Sequence, residues 1–103
     1  MKSSADIVQA LSNGMFEFSR HAFKRAVERD ISDHEIRQAG GAACVIEEYP
    51  DDKYAPSLLL LGFTAAGRSL HIQVSCVESK LVKIITLYEP DESEWTDNYL
   101  KRK

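Results

Sequence analysis

Two histidines, His21 and His71, have the chemistry to move a proton near neutral pH, and the Tyr88 phenol could assist; the third histidine, His34, sits in a capping box and reads as surface. An unperturbed imidazole titrates at about pH 6.5, so either histidine can serve as general acid or base, with the phenol assisting. Three guanidinium groups, on Arg25, Arg29 and Arg68, are the matching candidates for phosphate, because a planar fork of donors fits phosphate oxygens. Taken together these groups suit acid–base chemistry beside a bound phosphate, with neither metal nor cofactor. The plainer reading of the same residues is a solvated helix face and a solvent-facing sheet.

The elements that carry these groups are legible from periodicity. Ile7, Val8, Ala10 and Leu11 give a first helix over Ser4 to Asn13, stopped by Gly14. Met15 to Phe18 reads as a short edge strand. Ser19 caps a second helix, whose wheel puts Ala22, Phe23, Ala26 and Val27 on one side and His21, Arg25, Glu28 and Arg29 on the other. Ser32-Asp-His-Glu35 is a capping box, so a third helix runs to about Gly40-Gly41.

Beyond that double glycine the period changes. Ala43 to Tyr49 is rich in strand formers, and Ser57 to Thr64 is apolar at consecutive positions, which suits a strand covered on both faces. Leu70, Ile72, Val74 and Cys76 alternate with Ser69, His71, Gln73 and Ser75. Leu81 to Pro90 is the last strand. With a hairpin centred on Ser79, Thr86 and Tyr88 share the face of Leu70 and Ile72; a slip of one residue puts them beside His71. Trp95, Tyr99 and Leu100 are set to fold the tail back as a short helix. The resulting expectation is a single α+β domain over residues 1–103, with N-terminal helices packed on an antiparallel meander of about four strands.

Charge is distributed unevenly. Net charge is −3, which gives no global attraction to nucleic acid or membrane. Yet Arg20 to Arg29 holds four bases against the single acid Glu28, and Arg68 to Lys83 holds three against Glu78. The four acids between Glu47 and Asp52 and the five between Glu89 and Asp97 balance them elsewhere. If the second helix lies beside the last hairpin, a basic groove sits on an acidic surface.

Other chemistries fit poorly. Pro50-Asp51 followed by Glu78-Ser79-Lys80 imitates a metal-dependent nuclease signature, but its Glu and Lys fall in a turn. Cys44, Cys76 and the histidines lack zinc spacing, so no metal is expected. Both cysteines lie in apolar runs and read as buried free thiols of a reducing, cytoplasmic compartment. The longest apolar run, Leu58 to Phe63, is too short to span a bilayer, so no membrane association is expected.

Four blocks, His21 to Ser32, Val45 to Lys53, Gly67 to Val74 and Ile85 to Pro90, closely resemble a family of small bacterial proteins, domain of unknown function 4258. The resemblance covers about residues 16–90. It implies a RelE-like or MqsR-like toxin fold, in which two helices pack on a curved antiparallel sheet. It further implies a metal-independent endoribonuclease of a toxin–antitoxin system, with RNA as substrate, the RNA 2′-hydroxyl as internal nucleophile and a zinc-finger antitoxin as partner. The alternative is a non-catalytic RNA- or protein-binding module of the same fold. The family motif falls on His21, Arg25, Arg29, Arg68, His71, Thr86 and Tyr88, and Asp30 stands where the family usually has glycine.

Overall fold

The computed structural model describes residues 1–53 and 55–103. Helix α1 (Ser4–Ser12) starts where the Ser3 hydroxyl accepts from the Asp6 amide, and it buries Ile7 and Leu11. The chain then reverses through Gly14, whose φ of +76° favours glycine, into the short strand β1 (Phe16–Phe18). Helix α2 (Arg20–Glu28) is capped by Ser19, whose hydroxyl accepts from Ala22 N at 3.0 Å and donates to Ile85 O at 3.1 Å. The cap therefore also fixes the helix to the sheet. Asp30 adopts φ +53° in the turn that follows. A left-handed residue there explains why glycine would be at home, and Asp is one of the side chains that tolerates the conformation. The Ser32–Glu35 capping box is present, and α3 spans Asp33–Gly41.

The sheet has five strands in the order β1-β5-β4-β3-β2, where β2 is Cys44–Tyr49, β3 Ser57–Phe63, β4 Ser69–Ser75 and β5 Val82–Tyr88. The expected antiparallel meander is β2 to β5. The added member is β1, which pairs parallel to β5, so the sheet is mixed. All three helices lie on one face. Their buried Ile7, Leu11, Ala22, Ala26 and Ile36 pack with Leu60, Ile72 and Ile84 of the strands. Gly62 lets α3 sit directly on β3, since a Cβ at that position would come within 1.9 Å of Ala39 O. Two expectations about exposure are corrected. The apolar side of α2 is only half used, because Phe23 and Val27 stay exposed. Cys44, on the edge strand, is exposed while Cys76 is buried.

The tail is not a helix. Trp95–Thr96 (β6) pairs antiparallel with Lys101–Arg102 (β7) in a small hairpin. The turn between them places Asp97, Asn98 and Tyr99 at φ +54°, +56° and +72°. Three successive left-handed residues forbid a right-handed helix. Trp95 is buried instead against the sheet face opposite the helices. Among the described residues no helix is long and apolar enough to cross a membrane.

Candidate functional site

The register of β5 decides the site. Val74 pairs with Ile84 but Gln73 pairs with Thr86, so Ile85 is an extra, bulged residue. The bulge supplies the one-residue slip that strict alternation lacks. Val82, Ile84 and Leu87 remain in the core, while Tyr88 comes directly opposite His71 on the outer face. A second bulge, at Ile46 in β2, puts Glu47 opposite Leu59 on that same outer face. Thr86 and Tyr88 therefore do not share the face of Leu70 and Ile72.

His71 is fully buried on this outer face. Its Nε2 lies 2.9 Å from Tyr99 O, and its Nδ1 lies 3.2 Å from the Tyr88 hydroxyl. A carbonyl only accepts, so Nε2 carries the proton, and the neutral Nδ1 accepts from Tyr88. The Trp95 and Tyr88 rings meet the imidazole edge-on, with centroids 4.3 and 5.3 Å away. Burial lowers the His71 pKa; the Tyr99 carbonyl and Glu47 oppose this, while Arg102 adds to it. Burial likewise raises that of Tyr88.

The sign of the pH dependence follows. Below the ordinary histidine value of 6.5 the unfolded chain takes up a proton that folded His71 resists. Stability is thus full above that pH and declines as pH falls toward the depressed folded value. The thermal midpoint should fall on acidification from pH 6.5, and a His71→Gln variant should lose that part of the slope. An unchanged slope would show that His71 is not held neutral.

Tyr88 is the half-buried, more accessible end of the pair. It lines a cavity of about 570 Å³ together with Arg29, Arg68, Glu89, Asp91 and Glu94. Arg29 anchors one nitrogen on Leu87 O at 2.7 Å and, among the described residues, makes no ion pair. Arg68 is committed elsewhere. Its Nη1 reaches both Glu35 carboxylate oxygens at 3.0 Å and Asp30 O at 2.8 Å; Nη2 reaches Arg29 O at 2.8 Å, and Nε bonds Glu89. The Glu35 carboxyl is held below its usual range by the Ser32 amide and then by Arg68, against the effect of burial.

The six residues singled out from sequence therefore divide. Arg29, Arg68 and Tyr88 surround one cavity, with His71 directly behind the phenol. His21 and Arg25 belong to α2, which packs by Ala22 and Ala26 on the helix-bearing face. His21 and His71 thus lie on opposite sides of the sheet, and a two-histidine site is not formed. Arg25 is paired with Glu28 at 2.8 Å and does not line the cavity. The basic groove between α2 and the last hairpin is replaced by a pocket of mixed charge.

Four participants had weak sequence signals or none. Glu47 accepts from Arg102 Nε at 2.8 Å and Nη2 at 3.1 Å, and also from the Tyr49 hydroxyl. The Arg102 guanidinium lies 4.7 Å over the Trp95 ring. Burial pushes the Glu47 pKa up, but these hydrogen bonds outweigh it, and the net shift is downward. Nothing local links Glu47 to a residue 55 positions away. Among the described residues no group of three His, Cys, Asp or Glu is placed to hold a metal.

A family model described as Domain of unknown function (DUF4258) matches residues 18–89. No curated protein and no solved structure matches the chain.

Proposed function

The chain belongs to that family of domains of unknown function, and from this premise we propose that it is a toxin-like endoribonuclease with a RelE-like or MqsR-like fold. The outer face of β4 and β5 is its working surface. The observation that carries the reading is the His71–Tyr88 hydrogen bond at the mouth of a cavity that also holds Arg29. A buried imidazole cannot touch a substrate, but a phenol can relay to it. In the reaction the RNA 2′-hydroxyl attacks the adjacent phosphorus as its proton passes to the Tyr88 oxygen. The phenolic proton moves to His71 Nδ1 in the same step. The bond from phosphorus to the 5′-oxygen breaks, water protonates the leaving oxygen, and a 2′,3′-cyclic phosphate remains. His71 then returns its proton to solvent through Tyr88. Arg29 meets the charge on the phosphate oxygens. The partners that go with this reading are RNA and a zinc-finger antitoxin, in the cytoplasm.

RNA cleavage in EDTA tests the proposal. His21→Ala should match wild type, while Tyr88→Phe should be strongly impaired; the reverse pattern would return the site to α2. The second reading, a non-catalytic RNA- or protein-binding module, is favoured by one observation: Arg25 and Arg68 are already paired with the chain's own carboxylates. It predicts no cleavage by any variant.

A further inference from the structure

The segment after Pro90 lies beyond the residues matched by the family model, yet it supplies much of what surrounds His71. Trp95 packs on the imidazole, and the Tyr99 carbonyl accepts a hydrogen bond from its Nε2–H. The tail is matched in charge to the surface beneath it. Asp91 and Glu94 line the cavity of Arg29 and Arg68, while Arg102 sits in the fork of Glu47. None of its residues belongs to the main core cluster that the helices share with the sheet. Its turn also stores strain at Tyr99, a bulky residue held at φ +72°, whereas Asp97 and Asn98 beside it tolerate that conformation.

We propose that residues 91–103 are a tethered ligand of the outer sheet face, seated over His71 and beside the cavity where an RNA phosphate would bind, closing the Tyr88–His71 pair until it lifts. The inference rests on reading that face as the RNA site. A polyanion drawn to Arg29 meets the repulsion of the Asp91 and Glu94 carboxylates that line the same cavity, while the Glu47–Arg102 fork and the Trp95 ring hold the cover down. The strained turn keeps closure shallow enough to reverse.

The test is residue-resolved labelling of histidine by diethylpyrocarbonate in the full chain. His21 and His34, both exposed, serve as internal controls. In wild type His71 should react far more slowly than either. Trp95→Ala and Arg102→Ala should each speed His71 labelling by about tenfold or more, with His21 unchanged. Tyr99→Gly, which relieves the left-handed tyrosine and keeps the carbonyl that His71 bonds, should slow it by about threefold, an effect that partial unfolding cannot imitate. Wild-type His71 reacting as fast as His21, or protection unchanged in all three variants, would overturn the cover. RNA cleavage by the same variants separates the two ideas. Opened variants that never cleave RNA sink the ribonuclease reading and leave the cover standing. Opened variants that cleave no faster than an active wild type show that the tail does not gate the site.

Discussion

Arg68→Lys is expected to lower the thermal midpoint by roughly 10 °C, although the charge is retained. The guanidinium reaches Glu35, Glu89, Asp30 O and Arg29 O at once. It thereby closes the turn where Asp30 is held at φ +53° and ties that turn to the end of β5. An ammonium is a point charge that cannot span all four partners, so at least one carbonyl and one carboxylate lose their donor. With the side chain about three-quarters buried, the loss should be about 2 kcal/mol, well above that of an exposed ion pair. Thermal denaturation at neutral pH checks this. If Arg68→Lys melts like wild type but binds RNA less well, Arg68 is a phosphate ligand and its carboxylate partners are incidental.

Tyr88→Phe is expected to cut RNA cleavage by about 10²- to 10⁴-fold, the usual span for losing a positioned acid–base group. His71 has no exposed surface, so the phenol is its route to a substrate. Removing one hydroxyl leaves the ring packing in place and strands only Nδ1. The stability cost should be about 1 kcal/mol, too little to explain a rate loss of that size. The loss should appear in kcat more than in KM, because Arg29 still holds phosphate in the variant. A variant with intact kcat and a melting point several degrees lower would make the hydrogen bond merely structural.

Much of the scaffold was legible because its signals are local. Ser19 and Ser32 cap helices where their sequence neighbours require it, and consecutive leucines give a strand covered on both faces. The alternation around His71 correctly placed it away from the core. Three features were hidden for one physical reason, that long-range pairing chose among local options. The bulge at Ile85 follows from keeping Val82, Ile84 and Leu87 all in the core, and it alone brings Tyr88 to His71. The residues Phe16–Phe18 gave no sign that β1 would run parallel to β5. In the tail, apolar spacing suggested a helix, but Asp97 and Asn98 favour a tight turn once Trp95 can dock on an imidazole. Charge along the chain was the least reliable guide to the site. Counting bases along α2 could not reveal that Arg25 is paired with Glu28, nor that the bases of Arg68 to Lys83 include one clamped by Glu35 and Glu89.

The outer sheet face either does the chemistry or it does not. The direct measurement is end-group analysis of an RNA oligonucleotide incubated in EDTA with the Trp95→Ala chain, with and without Tyr88→Phe. The prediction is 2′,3′-cyclic phosphate ends from the first protein and almost none from the second. Equal cleavage by both, or cleavage by neither while both remain folded, would contradict it.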